Sequence, residues 1–391
     1  MKVLITGGAG FIGSHLAKRL AKDGAEVTVL DNLSEQIHGA DTDFAPDLRR
    51  AANCIYGDIC DREQLTRAIR GQDAVVHLAA ETGTGQSMYA VGRYSRVNLQ
   101  GTATLLDILV NRSSRSVQRL VVASSRAVYG EGAYRCASHG RVHPSARTAE
   151  AMAAGRFDPI CPVCGGDVSV LATQETAPLG ASSFYGLTKQ AQEQMVLLFG
   201  RSMGINAFAV RYQNVYGPGQ SLANPYTGLL AAFSNLARAG RDLNVFEDGL
   251  ESRDFVHVED VVEATASCLA PTVSGHHALN VGSGEATPVI EVANAVIRHF
   301  GSTSRVRVTG DFRVGDIRHN LADISQIRAV TGFVPRRRFR DGVVDFLDWA
   351  GRSAPVDAGF DRSMRELRER GLLGVRATAD LDLALAETAL S

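Results

Sequence analysis

The chain is short of cysteine. Six residues in 391 are too few for a disulfide scaffold. It also lacks an excess of either charge: Lys and Arg number 41, Asp and Glu 42, and the formal net charge is −1. That balance excludes a nucleic-acid or anionic-membrane binder working by bulk charge, and leaves open only a local basic patch. No hydrophobic run approaches the length of a bilayer span. No leader with a cleavage site is visible either, since Met1 and Lys2 run straight into an apolar strand that Gly7 to Gly10 interrupt. The expectation is a cytoplasmic, reducing setting with no membrane and no nucleic-acid partner, where cysteines serve as metal ligands or core residues. Internal repeats are absent.

Hydrophobic residues make up 45% and charged residues 21%, a globular composition. At roughly 150 residues per domain, the length predicts two lobes. The first half alternates short apolar runs with amphipathic stretches. Val3 to Ile5, Val27 to Leu30, Ala74 to Leu78, Leu120 to Ser124 and Ala207 to Arg211 read as strands. Phe11 to Lys22, Ser95 to Val110 and Tyr185 to Phe199 read as helices. Near-continuous apolar strands alternating with helices predict an α/β fold, with a parallel sheet covered on both faces.

Two regions depart from that pattern. Residues 133–178 are polar, hold three of the six cysteines and show no strand–helix repeat, as expected of an insertion. From residue 216 to about 350, Gly- and Pro-containing loops mix with short helices and predict a second lobe, part of which returns to the first. Residues 351–391 form a charged tail, with a helical stretch at 365–370 read as a solvated face.

The first loop, TGGAGFIG at 6–13, lies between a strand and a helix. Gly7, Gly10 and Gly13 there let the backbone turn tightly and approach a pyrophosphate at the helix N-terminus. The next strand ends at Asp31, 18 residues after Gly13. An acid at that point accepts hydrogen bonds from a ribose diol and repels a ribose phosphate, which predicts NAD and not NADP. Asp58, after Ile55 and Tyr56, suits an adenine amino group or a helix cap. His77 reads as a core histidine.

Tyr185 and Lys189 are four apart in a helical stretch and share a face. A nearby ammonium lowers the pKa of a phenol, ordinarily about 10, and makes it a usable base. Ser125, in SSRAVYG at 124–130, follows a strand and offers a hydroxyl to the substrate oxygen.

TGGAGFIG, HLAA (77–80), SSRAVYG, YGLTK, RYQNVYGPGQ (211–220) and RDFVHVEDV (253–261) together resemble the extended short-chain dehydrogenase/reductases, specifically the nucleotide-sugar epimerases and dehydratases. The resemblance runs from Met1 to about Trp349, apart from the insertion. It implies a Rossmann doubly wound parallel sheet (1–132 and 179–215), a smaller mixed α/β lobe for the sugar nucleotide (216–350), tightly bound NAD and a homodimer built on two helices per subunit. Ser125, Tyr185 and Lys189 are then catalytic. Phe11, Ile12, Asn32, Ile59, Leu78, Ala79, Ala80 and Asn98 join the glycines, Asp31, Asp58 and the Tyr/Lys pair around the cofactor. Asn214, Arg253 and Arg318 are expected to contact the diphosphate and nucleoside, and Asn244 and Phe246 to clamp the base.

Four reactions fit this resemblance. Epimerisation at C4 needs only Ser, Tyr, Lys and NAD. Relatives that dehydrate carry Asp-Glu directly after the catalytic hydroxyl, where this chain has Arg126 and Ala127. A ketosugar reductase would consume NADPH, which Asp31 disfavours; decarboxylation of a uronic sugar is not separated by motif. A non-catalytic NAD-sensing regulator would have lost the Tyr/Lys pair. The loops ETGTGQSM (81–88) and GQSLANPYTGLLAAF (219–233), with Ser87 and Leu229 as expected substrate contacts, resemble dTDP-L-rhamnose 4-epimerase-like enzymes. UDP-galactose 4-epimerase-like activity is the alternative.

In the insertion, Cys136-x-x-His139 is followed after 21 residues by Cys161-x-x-Cys164. Such pairs predict a zinc-ribbon-like structural Zn site with four ligands, His143 competing for the fourth place. A closed ligand set leaves no position for a catalytic water. The insertion is expected to fold over the substrate cleft. Cys54, Cys60 and Cys268 are expected in the core.

Overall fold

The computed structural model describes residues 1–39, 43–111, 116–224, 226, 228–353 and 359–376. Residues 377–391 of the expected tail, and Pro225 and Thr227 of the 219–233 stretch, lie outside the described residues.

The strands, in chain order, begin with β1 (Lys2–Thr6), β2 (Glu26–Asp31), β3 (Asn53–Tyr56), β4 (Ala74–His77) and β5 (Arg119–Ser125). Residues 133–178 contribute β6 (Tyr134–Cys136), β7 (Gly140–Val142) and β8 (Val168–Val170). Then come β9 (Asn206–Tyr212), β10 (Asn214–Tyr216), β11 (Leu243–Val245), β12 (Ser252–His257), β13 (His276–Val281), β14 (Ala286–Pro288) and β15 (Val306–Val308). Seven of them form one parallel sheet in the order β3-β2-β1-β4-β5-β9-β13. Its central strands are almost wholly buried because helices cover both faces, and a separate apolar cluster fills each side. The strand order reverses between β1 and β4, which opens a crevice at the carboxyl ends of the strands, where open α/β sheets bind ligands.

One expected helix is two. Ser95–Gln100 is π-helical and continues into an α-helix over Gly101–Val110. The wide turn carries Asn98, fully buried, toward the sheet.

The second lobe is built from β10-β12-β14 and the pair β11-β15, with helices Leu229–Arg238, Val289–Phe300 and Phe339–Arg352 around a core that includes Phe233, Phe255 and Phe346. Residues 133–178 form an antiparallel β7-β6-β8 sheet over a small core of Tyr134, Cys136, Val142 and Cys161. This unit is braced on the second lobe by a bridge between Thr173 and Ala322, and by Met152 and Phe157 packed on Phe312.

The tail departs from its sequence reading. Helix Phe360–Glu369 is docked, with Ser363 and Leu367 buried. Phe360, Met364 and Leu367 recur at helical spacing among charged residues, so one narrow apolar face is hidden in a stretch that reads as polar. Beyond it, β16 (Phe312–Arg313) pairs with β17 (Leu373–Gly374).

Candidate active site

The glycine loop closes the crevice by backbone packing. Gly7 has φ of +69°, and a Cβ there would stand 2.6 Å from the amide nitrogen of Ala79; at Gly13 it would meet the Gly7 carbonyl at 2.5 Å. Helix Phe11–Lys22 begins after Gly10 with no side-chain cap, so its first N–H groups remain for a ligand's anion. Asp31 ties the loop down: one carboxylate oxygen accepts from Ala9 N and the other from Leu33 N, both at 2.9 Å. His38 Nε2 lies 3.8 Å from Asp31, a neighbour that sequence reasoning missed. Asn32 donates to Asp58 at 3.4 Å, and Asp58 accepts from Cys60 N at 2.7 Å. Phe11, Ile12, Leu78 and Ala79 are half-buried beside the cores, and Ala80 is half-buried next to them. Buried Ile59 would meet a Cβ at Gly101 at 2.8 Å. The crevice therefore combines a tight glycine turn, an uncapped helix start and a carboxylate at the end of β2, the parts a dinucleotide needs.

Asn98 is committed inside the protein. Its Oδ1 accepts from Glu81 N at 2.8 Å, and its Nδ2 donates to Glu81 O and to Thr188 Oγ1 at 3.1 and 2.9 Å. It joins the loop after β4 to the helix that carries Tyr185. His77 is a satisfied core histidine between Thr6 and Thr102, lowered by burial to about 3 and therefore neutral.

Ser125 ends β5, and Tyr185 and Lys189 lie on helix Phe184–Met203, capped by Ser183. Burial pushes the Tyr185 phenol up, while a hydrogen bond with Ser125 and the charge of Arg126 pull it down. Lys189 is 2% exposed; its Nζ donates to Ala123 O at 2.9 Å, and burial lowers it to about 7. Tyr94 packs edge-on to Tyr185 at 6.4 Å. Behind them Glu193 pairs with Arg211 and accepts from Ser124 Oγ at 2.7 Å, locking the helix to β5 and β9.

The expected substrate residues divide. Arg253 donates from Nη2 to Asp316 at 3.3 Å and to three backbone carbonyls. Burial favours the neutral acid at Asp316, but Arg253, Arg126 and Arg313 outweigh it and hold the carboxyl at about 2. Arg318 differs from the expectation. It is 1% exposed, and each guanidinium nitrogen is bonded to a carboxylate, of Asp158, Glu247 or Asp248. Arg313, which the sequence reading passed over, lines the small cleft beside Ser183. It lies 4.9 Å over the ring of Phe246, and its buried Nε has no partner among the described residues. Asn214 accepts from Asn320 at 3.4 Å, Ser87 is buried and donates to Thr84 O at 2.6 Å, and Leu229 packs at the edge of the second core. Asn244 is exposed, opposite its buried neighbours Leu243 and Val245 on β11.

A family model described as NAD dependent epimerase/dehydratase family matches residues 3–149 and 163–282. The chain belongs to the NAD-dependent epimerase/dehydratase family. It is 37% identical to a dTDP-L-rhamnose 4-epimerase of Burkholderia thailandensis over 89% of this chain and 94% of that one. It is 29% identical to a dTDP-glucose 4,6-dehydratase of Streptomyces niveus, over 89% and 92%. Among solved structures, the UDP-glucose 4-epimerase of Thermus thermophilus in complex with NAD superposes with a TM-score of 0.71 at 29% identity, covering 90% of this chain and all of that one.

The epimerase-family chain carries one more cluster. Cys136, His139, Cys161 and Cys164 present ligand atoms that all lie within 4.8 Å of one another. Nδ1 of His139 is 3.6 Å from the sulfurs of Cys136 and Cys161, and Cys136 and Cys164 are 3.7 Å apart. Zinc–sulfur bonds of about 2.3 Å at tetrahedral angles require sulfurs about 3.8 Å apart, so the donor set fits zinc. His143 points elsewhere, to Gly132 O at 3.3 Å. The insertion reaches the cleft wall through Arg147, which donates to Asp316 O at 3.2 Å, but none of the residues lining the small cleft beside Ser183 comes from it. Of the other cysteines, Cys268 is buried, and Cys54 and Cys60 are half-buried. No described helix is long and apolar enough to cross a membrane.

Proposed function

We propose that the chain is an NAD-dependent nucleotide-sugar 4-epimerase acting on a dTDP-deoxysugar such as dTDP-L-rhamnose. The observation that carries this reading is the catalytic set itself: Ser125 at the end of β5 lies close enough to the Tyr185 phenol to lower its pKa, and Lys189 is buried one helical turn from Tyr185, with no acid–base pair beside Ser125. The 37% identity to a dTDP-L-rhamnose 4-epimerase supports the sugar nucleotide.

Gly7, Gly10 and Gly13 would cradle the pyrophosphate of NAD, and Asp31 its adenosine ribose, with Asn32, Asp58 and Ile59 at the adenine end. Bound there, NAD supplies a hydride acceptor and donor for the sugar C4. Tyr185 Oη removes the proton from the C4 hydroxyl, and Ser125 Oγ donates to the oxygen as it becomes a carbonyl. The Lys189 ammonium lowers the cost of the Tyr185 phenolate. Arg313, whose Nε has no partner among the described residues, holds the diphosphate while the 4-keto ring turns over, and Arg253, its terminal nitrogens bound to Asp316 and backbone carbonyls, has only Nε left to add to it. Tyr185 then returns the proton on the opposite configuration. Dehydration needs a further proton donor next to Ser125, where Arg126 and Ala127 provide none. Ser87, Asn214, Leu229, Asn244 and Phe246 line the path of the nucleotide sugar in this reading.

The Cys136, His139, Cys161 and Cys164 cluster holds a structural zinc, with no step of the reaction passing through it. The protein works as a cytoplasmic homodimer, paired through helices Gly101–Val110 and Phe184–Met203, whose Val110, Leu187 and Leu198 are exposed.

The test is proton NMR in deuterated water with purified protein and no added cofactor, on dTDP-L-rhamnose and separately on UDP-galactose. Inversion at C4 without deuterium at C5 is expected with the dTDP-sugar. A stable 4-keto product carrying deuterium, or turnover only with NADPH, would overturn the reading.

A further inference from the structure

Among the described residues, only Leu33 and Glu247 have a positive φ without being glycine, at +47° and +51°. A side chain with a Cβ makes that left-handed backbone about tenfold less populated, so something must hold it. Leu33 is held by Asp31, whose carboxylate accepts its N–H at 2.9 Å. Glu247 is held by its own side chain. The buried carboxylate accepts from Arg147 Nη1 at 2.9 Å on both oxygens, and from Arg318 Nη1 at 3.0 Å. A glycine would take this φ unaided, whereas an acid needs its two arginines.

The left-handed turn has a consequence for its neighbours. It points both backbone groups of Glu247 at one segment: Glu247 N donates to Asp311 O at 2.8 Å, and Glu247 O accepts from Gly310 N at 3.1 Å. Gly249 N closes the turn on Phe246 O at 3.0 Å. Phe246 comes just before the turn, and Arg313 lies on β16 two residues beyond Asp311. The bonds to 310–311 therefore set the Arg313 guanidinium 4.9 Å over the Phe246 ring. With a relaxed, negative φ at residue 247, its N–H and carbonyl could not both face that segment, and the ring and the cation would part.

We infer that Glu247 is a positioning residue for the nucleoside-diphosphate end of the substrate. Arg147 of the insertion and Arg318 hold its carboxylate, and the turn so fixed presents Phe246 and Arg313 together. The inference rests on the nucleotide-sugar reading proposed above, in which those two residues meet the nucleotide, and gives the cysteine-bearing insertion a part in binding it.

The test is the dissociation constant of dTDP, measured by calorimetry on the full chain. Glu247→Ala and Glu247→Gly remove the same carboxylate from the same two arginines and differ only in backbone freedom. In the alanine variant the free turn relaxes out of the left-handed region and binding must restore it, so dTDP affinity should fall about tenfold. Glu247→Gly should recover to within about threefold of wild type, because glycine pays no penalty there. NADH, held by the other lobe, should bind wild type and both variants alike. A role confined to stability would weaken the two variants equally. Should the alanine variant not fold, Glu247→Asn and Glu247→Gln repeat the contrast with a polar side chain kept. Asparagine tolerates the left-handed region and should bind dTDP the tighter of the two. Equal dTDP affinity within a folded pair overturns the inference alone. The expected contrast in a protein that inverts neither sugar at C4 supports the inference while removing the proposed reaction. Wild type that binds neither dTDP nor UDP overturns both.

Discussion

Arg147 Nη1 lies 2.9 Å from both carboxylate oxygens of Glu247, and its Nε lies 2.9 Å from Glu131. Arg147 belongs to the cysteine-bearing insertion, Glu247 to the second lobe and Glu131 to the segment just after the Ser125 turn. All three are nearly inaccessible to water. Such a pair contributes little net stability over an apolar contact, but breaking one side leaves a buried charge uncompensated. The insertion is thus bonded to both walls of the cleft, and its folding is coupled to the position of Asp316.

Removing the metal ligands tests that coupling. Purified chain should carry one zinc, and Cys161→Ser with Cys164→Ser should carry none. The metal-free variant is expected to be cut by protease between residues 133 and 178 and to melt at lower temperature, because zinc binding is folding energy for so small a core. The KM for the sugar nucleotide should rise about tenfold, one decade for roughly 1.4 kcal/mol of lost binding, while kcat changes less. A metal-free wild type with the insertion protected from protease would contradict the zinc reading.

Arg313 and Arg318 should separate in the same way. Arg313→Ala removes a donor from the cleft, and the expected result is a KM increase with an unchanged melting temperature. Arg318→Met removes the cation shared by Asp158, Glu247 and Asp248. It should lower stability by about 1–3 kcal/mol, because only Glu247 of the three acids is buried and Arg147 still pairs with it. Urea unfolding of the two variants checks both. An Arg318→Met enzyme as stable as wild type would show that Arg147 and solvent compensate these acids without it.

Sequence spacing exposed the parts of the site that are local. TGGAGFIG carries its own turn geometry, Tyr185 and Lys189 are one helical turn apart, and Cys136, His139, Cys161 and Cys164 come as two short pairs. What stayed hidden depends on tertiary partners. Arg313 and Arg318 are five residues apart, and nothing local says that one faces the cleft while the other is surrounded by Asp158, Glu247 and Asp248. The Phe360–Met364–Leu367 face was masked by the charges between them. Glu366 finds its hydrogen-bond partners in Tyr89 and Tyr226, 277 and 140 residues away.

Asp31 provides a prediction on the cofactor. Asp31→Ala orphans the N–H groups of Ala9 and Leu33, at a cost of about 1–3 kcal/mol for a buried unpaired donor. NADH affinity should fall accordingly. Discrimination against NADPH should fall as well, since the repelling carboxylate is gone. Fluorescence titration with both nucleotides measures the two effects separately. Undiminished preference for NADH would place the discrimination elsewhere, beginning with His38.

Lys189 links catalysis to stability through pH. Burial lowers its pKa from 10.5 to about 7. Between those values the folded ligand-free chain binds fewer protons than the unfolded one, so the contribution of this group to stability rises with pH through that window. Below about pH 7 the amine is charged in both states, and its buried charge costs most. Lys189→Met should therefore raise the melting temperature of ligand-free protein at pH 6, by about 1 °C for each kcal/mol recovered in a chain of this length. The gain should shrink as pH approaches 10. The same change should lower kcat at pH 7 by about 10²–10³, the scale of one general-base contribution. It should also move the acidic limb of the pH–rate profile upward, because Tyr185 then ionises nearer its burial-raised value. Tyr185→Phe shares the kcat loss but not the gain in stability at pH 6, so a melting curve at that pH distinguishes the residue that bears the buried charge from the one that moves the proton.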